Sequence, residues 1–286
     1  MGLFCIGACE VGTNNDIIIN MNIKDPKIKK AINTVLEYYK AQNIVGLILQ
    51  GSFGKGTATK FSDVDLAFLC KDKKQTECLM REAHHLYDFG DFFIEPRFYN
   101  IEELEKAPLS ERYFFQDKYI WPQSERFSKQ NAKILYDPES RIKRLLKKKL
   151  VTPKKEKSLL LGDLIYLVGL GLSYKLPRLM SQKEYLKAHF LMNSIAKNIV
   201  EYLYVINNKF IPYEGDLFFW LLSGKVKGIN DVQKLFVVSD VNRESCLKRI
   251  RIIKGFCKKY KIKIFQGSVK GYTKEFGAKK WNKKQS

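Results

Sequence analysis

The chain is short of acid. Asp and Glu together number 30 against 51 Lys and Arg, a formal net charge of +21 over 286 residues. A balance this far from neutral has two readings: an anionic partner, whether nucleotide, nucleic acid or acidic carrier, or a lysine-rich composition, since the lysines are spread over many segments. Histidine is scarce, at 3 residues, and Cys5, Cys9, Cys70, Cys78, Cys246 and Cys257 form neither a Cys-x-x-Cys pair nor a spaced Cys/His quartet. That argues against a structural zinc site. No basic-then-apolar leader opens the sequence, so reduced thiols and a cytoplasmic location are expected. Myristoylation fits poorly, because Ile6 stands where Ser or Thr is wanted. The most apolar run, Leu159 to Leu172, is interrupted by Asp163 and falls short of the roughly 20 residues of a membrane span. A buried helix, and no membrane, is the expectation.

Two familiar phosphate-binding signatures are also missing. Gly51 to Thr57 superficially resembles a P-loop, but Lys55 is followed by Gly56, so no hydroxyl stands ready for Mg²⁺. The glycines do not form a dinucleotide fingerprint either, and the chain shows no repeat period. What it does have, 45% hydrophobic and 13% aromatic residues, is enough for one large or two smaller cores.

The informative stretch is Leu47 to Leu69, LILQGSFGKGTATKFSDVDLAFL. The apolar runs Ile44 to Leu49 and Val64 to Leu69 have the length of buried strands, joined by a loop carrying Gly51, Gly54 and Gly56. Asp63 and Asp65 are spaced i, i+2, which on a strand puts both carboxylates on one face with α-carbons roughly 6–7 Å apart. Acids side by side in this way can hold divalent ions, which two-metal sites place about 3.5–4 Å apart. Mg²⁺ suits them, because it binds one or two carboxylates and substrate phosphates and keeps its remaining waters. The glycines would let backbone N–H groups approach a triphosphate.

Gly51-Ser52, a spacer, then Asp63-Val64-Asp65-Leu66 resembles the signature of the polymerase-beta-type nucleotidyltransferase superfamily. The finer run Gly51-Ser52-x-x-Lys55-Gly56-Thr57 with Ser62-Asp63-x-Asp65-Leu66 is similar to its antibiotic-modifying and minimal branches. The resemblance implies an α+β fold, an N-terminal nucleotidyltransferase mixed sheet with flanking helices followed by a C-terminal all-helical domain. It implies Mg²⁺, in a two-ion site, held by Asp63, Asp65 and a third acid on a neighbouring strand. Glu95 is the match, in the run Phe93-Ile94-Glu95-Pro96-Arg97-Phe98, with Asp91 the fallback. Gly51, Ser52, Lys55, Gly56, Thr57 and Ser62 would hold the nucleotide. Pro96 equally suits an edge strand whose Glu faces solvent, and Arg97 suits either a phosphate clamp or a salt bridge.

Along the rest of the chain, residues 1–20 read as a peripheral extension and 21–140 as the catalytic domain. Asp25-Pro26 opens a helix running to about Gln42, and a second is predicted over Thr76 to Tyr87, its His84 and His85 read as packing or surface residues. Arg141 to Lys157 carries nine basic residues and one acid, a basic linker helix. From 158 to 266 the period is helical, as expected of a substrate or acceptor domain, and 267–286 is a Lys-rich tail. The run from Ile206 to Trp220 partly resembles the family's helical substrate domain, with Glu214 a further possible base.

The function expected is transfer of a nucleoside monophosphate from a nucleoside triphosphate to an acceptor hydroxyl, of a small molecule such as an antibiotic. The alternatives are nucleotide addition to RNA or to a protein partner, and a catalytically inactive nucleotide-binding module. The strong positive charge weighs against a cationic aminoglycoside as acceptor.

Overall fold

In the computed structural model, the residues described are 25–40, 44–82, 87–107, 109, 121–218, 221, 229–236 and 240–264. The proposed extension and tail, His84, His85 and Trp220 lie outside them. The chain divides into two compact units, Met1–Tyr99 with Lys133–Arg141, and Asn100–Ala132 with Ile142–Ser286. By this division residues 100–132 group with the helical unit, whereas the composition shift alone suggested one stretch up to 140.

The first unit opens with α1 (Pro26–Lys40). Asp25 accepts the Lys27 N–H at 2.9 Å, satisfying a donor that the helix itself cannot. Ile28, Ile32, Val35, Leu36 and Tyr39 recur at helical spacing and are all buried. They pack on a five-stranded sheet, β1 (Ile44–Leu49), β2 (Val64–Cys70), β3 (Tyr87–Asp88), β4 (Phe93–Asn100) and β5 (Lys133–Tyr136), in the order β3-β4-β2-β1-β5. The pairs β1/β2, β1/β5 and β3/β4 are antiparallel. Tyr39, Phe68 and Phe98 join helix and sheet, with ring centroids 4.8–5.3 Å apart. Two short helices also belong here, α2 (Gly51–Lys55) and α3 (Lys73–Glu82), the latter about three residues ahead of its expected start at Thr76.

Strand alternation decides what faces where. Val64, Leu66, Phe68 and Cys70 of β2, and Ile94 and Phe98 of β4, belong to the core on the α1 side. Asp65 and Glu95 therefore point to the opposite face. Pro96 does not mark an edge strand, because β4 lies between β3 and β2. It is tolerated because β3 is two residues long and pairs only with Phe93 and Ile94.

The second unit is helical: α4 (Ile101–Lys106), α5 (Gln123–Gln130), α6 (Arg141–Lys149), α7 (Lys154–Leu170), α8 (Leu176–Ser181), α9 (Tyr185–Ile206), α10 (Ile229–Phe236) and α11 (Arg243–Lys259). The expected linker helix over 141–157 is two pieces, since the residue before Pro153 avoids helical backbone and Pro153 itself sits at the N-cap of α7 with ψ 147°. A π-helical turn, Gly171–Lys175, joins α7 to α8. The continuous run Lys154–Ser181 is long and apolar enough to cross a membrane by length and composition alone. Its Leu160, Leu164, Val168, Leu172 and Leu176 are nonetheless buried in the core of this unit. A buried network ties α5 to the start of α7: Arg126 pairs with Glu156, and Gln123 donates to Glu156 at 2.8 Å while accepting the Ile211 N–H at 3.3 Å. At α11 the Asn242 side chain accepts the Ser245 N–H at 2.9 Å. Asn242→Ala is expected to lower stability by about 1 kcal/mol in urea unfolding, the usual contribution of an N-cap.

Candidate active site

The glycine-bearing segment is a helical turn rather than an open loop. The Gln50 N–H donates to the Asp65 carbonyl at 2.9 Å, carrying the β1/β2 ladder one residue past Leu49. The chain then turns at once into α2, where the Gly54 N–H bonds the Gln50 carbonyl at 2.8 Å. Gly51 makes this turn with φ +58°, and a Cβ built there would stand 1.8 Å from Asp65 Oδ2. Its glycine is thus required by the carboxylate beneath it as well as by its backbone. Gly56, at φ 75°, ends the turn as its left-handed C-cap.

Asp63, Asp65 and Glu95 come together, each offering a carboxylate oxygen within 4.8 Å of the others. Asp63 is exposed, while the side chains of Asp65 and Glu95 are 18% and 30% exposed. Arg97, two residues beyond Glu95 and on its face, bonds Glu95 Oε1 through Nε and Nη2, both at 3.0 Å, and stands 3.6 Å from Asp65 Oδ1. The salt bridge, one of the two roles open to Arg97, is formed. Asp65 is pushed above the ordinary aspartate range, first by burial and then by the Asp63 charge, with Glu95 adding to the rise and Arg97 and Lys55 opposing it. Three hard oxygen donors, clustered and mutually repelling, suit a divalent cation such as Mg²⁺.

The other residues of the signature are placed as follows. The Ser52 hydroxyl is buried and without a hydrogen-bond partner, and the Ser52 carbonyl accepts the Thr57 N–H at 2.9 Å. Ser62 Oγ accepts the Thr59 N–H at 2.9 Å, closing the turn ahead of Asp63. A cleft of about 670 Å³ lies alongside, with Phe53, Gly56, Lys60, Ser62, Phe92 and Lys133 among its walls, but none of the three carboxylates lines it. The lysines of that cleft carried no sequence signal, because the fold alone brings positions 60 and 133 together. Asp91 stands apart from the triad, paired with Lys27 at 2.7 Å on the surface and held below the usual aspartate range by that bond. Glu214 belongs to the helical unit and pairs with Lys197 at 3.1 Å.

No curated protein is significantly similar to the chain. Among solved structures it is similar to a nucleotidyltransferase-like protein from Exiguobacterium sibiricum, with 12% identity, a TM-score of 0.45, and coverage of 81% of this chain and 75% of that one. The family model for the polymerase beta nucleotidyltransferase domain matches residues 30–126. That span contains the Gly51-Ser52 turn and all three clustered carboxylates, and over these residues the chain matches the polymerase beta nucleotidyltransferase family.

Proposed function

We propose that the N-terminal unit transfers a nucleoside monophosphate from a nucleoside triphosphate to an acceptor hydroxyl. The observation that supports this reading is the carboxylate cluster of Asp63, Asp65 and Glu95 beside the Gly51 turn. These three residues would hold Mg²⁺, which supplies charge stabilisation on the phosphoryl and leaving oxygens when bound. The Ser52 hydroxyl, buried and unsatisfied, is a donor for a phosphate oxygen, and Lys55, whose charge reaches Asp65, adds a cation to the same turn. In the reaction the acceptor oxygen bonds to the α-phosphorus, its proton passes to a carboxylate, Glu95 by preference, and the bond to the pyrophosphate oxygen breaks.

The contacts of Arg97 with Asp65 and Glu95 favour a second reading, in which the guanidinium is the resident counter-charge and the domain binds nucleotide without catalysis. Thermal unfolding separates the two. Mg²⁺ at about 100 times its Kd is expected to add about 2.7 kcal/mol of stability to the wild type, and little or nothing to Asp65→Asn. Equal responses of the two proteins would remove the metal site from this account.

A further inference from the structure

We propose that the cleft on the α1 side of the first unit is a second small-ligand site, and that it takes a nucleoside monophosphate. Its walls include Ile28 of α1, Phe53 of α2, Lys60 and Ser62 of the loop before β2, Phe92 ahead of β4 and Lys133 of β5, all within that unit. The proposal does not depend on the nucleotidyl-transfer reading, which concerns the other face of the sheet.

The face is fixed by strand pairing. Lys133 lies directly opposite Leu49 in the β1/β5 pair, and residues so paired project from one face. Leu49 and Ile28 belong to the core on the α1 side, and Phe53 and Phe92 pack against that same core. Asp65 and Glu95 alternate with core residues of β2 and β4 and project from the opposite face. The cleft and the carboxylate cluster therefore share one end of the sheet and the loop over 56–62, but not a face. A ligand held in the cleft is distinct from a nucleotide donor bound at the cluster.

The class of ligand follows from what lines the cleft. Its volume of about 670 Å³ falls within the roughly 300–1,000 Å³ of small-molecule sites. Lys60 and Lys133 are brought together only by the fold, and among the described residues neither forms an ion pair. The Lys60 ammonium stands 4.8 Å over the Phe61 ring. Two such cations suit a phosphate. Phe53, Phe92 and Ile28 supply an apolar wall for a flat ring. Asp25 and Asp91 also line the cleft. Asp91 Oδ2 holds Lys27 Nζ at 2.7 Å and Asp25 Oδ1 accepts the Lys27 N–H at 2.9 Å, which leaves the second oxygen of each to accept from hydroxyl or amino groups. A phosphate, an aromatic ring and donor groups on one small molecule describe a nucleotide. A monophosphate matches two lysines, whereas the added charge of a longer phosphate chain would meet the two aspartates.

The test is isothermal titration calorimetry on the full chain in EDTA, with the four nucleoside monophosphates and inorganic phosphate as separate titrants. Without a divalent cation the carboxylate cluster repels phosphate, so binding reports on the cleft. At least one monophosphate is expected to bind one-to-one, at least about fivefold tighter than inorganic phosphate, the low end of what base–aromatic stacking contributes. Lys60→Gln with Lys133→Gln is expected to weaken binding at least about tenfold. Lys60→Gln alone, at an exposed position, is expected to weaken it about threefold, and keeps the test in hand if the double variant folds poorly by circular dichroism. Lys248→Gln with Lys254→Gln, the same charge loss at exposed positions of the helical unit, is expected to change affinity less than about twofold. Equal losses in the two double-lysine variants would reduce the effect to net charge and overturn the proposal. A comparable loss in Asp63→Asn with Asp65→Asn would place the nucleotide at the carboxylate cluster and overturn it too. So would inorganic phosphate binding as tightly as every monophosphate, or no monophosphate binding with a Kd below about 1 mM.

Discussion

Replacing Asp63 and Asp65 together by Asn is expected to lower nucleotidyl transfer at least about 1000-fold, the scale on which removal of transition-state charge stabilisation is felt. Pyrophosphate release from each labelled nucleoside triphosphate, with aminoglycosides, lincosamides, tRNA and total protein pooled as acceptors, is the measurement. The labelled pool also names the acceptor class. The same change is not expected to unfold the protein. Asp65 is raised above its ordinary value by burial and by Asp63, so the folded chain holds the Asp65 proton more tightly than the unfolded chain does. Its contribution is then favourable below the ordinary aspartate range and is lost as pH rises through the raised folded-state value. Where Asp65 is ionised in the folded chain, its charge is therefore a cost that Asn removes. The double variant in EDTA at pH 7 should melt at or above the wild type, a combination of dead chemistry and intact fold typical of residues retained for function. A variant that melts far below the wild type would make these aspartates structural.

Gly51→Ala is the second large effect, and it acts through Asp65. The residue sits at φ +58°, where a non-glycine costs about 1–3 kcal/mol when held there. The added Cβ would also stand 1.8 Å from Asp65 Oδ2 and 2.8 Å from its Cγ. Relief requires the Asp65 carboxylate to rotate away from Asp63 and Glu95, or the Gln50–Asp65 backbone bond to stretch. Either movement takes apart the cluster. The expected result is a stability loss of about 1–3 kcal/mol from the backbone, a transfer rate down at least about 100-fold, by the same charge-stabilisation argument, and no Mg²⁺-dependent rise in melting temperature. If Gly51→Ala kept both its rate and its Mg²⁺ response, the contact between Gly51 and Asp65 would have no part in the site.

Much of this site was legible in the order of the residues. Asp63 and Asp65 alternate with Val64 and Leu66, and that period of two separates a core face from a polar face without reference to any partner. Glu95 and Arg97 repeat the pattern between Ile94 and Phe98. The helix at Asp25-Pro26 could be read because its cap and its apolar spacing are local properties of the chain.

Other features were not local. The three glycines read as an open phosphate loop, but Gly51 is glycine because Asp65, fourteen positions on, lies under it, a contact created only when β1 pairs with β2. The Pro96 edge-strand reading held only locally, because edge character depends on the neighbouring strand: β4 lies inside the sheet order, yet β3 pairs only with Phe93 and Ile94. The run of nine cations over 141–157 read as one linker helix, yet Pro153 starts a second helix and Glu156 is drawn inward by Arg126. The sequence by itself determined the strand periods, the helix starts and the set of acids capable of holding a cation, because each follows from spacing along the chain. The tertiary structure brought Glu95, the acid preferred from the resemblance, and not Asp91 into the cluster, and it alone decided that Arg97 bridges two of the acids and which lysines remain on the surface, because those depend on pairings between residues far apart in sequence.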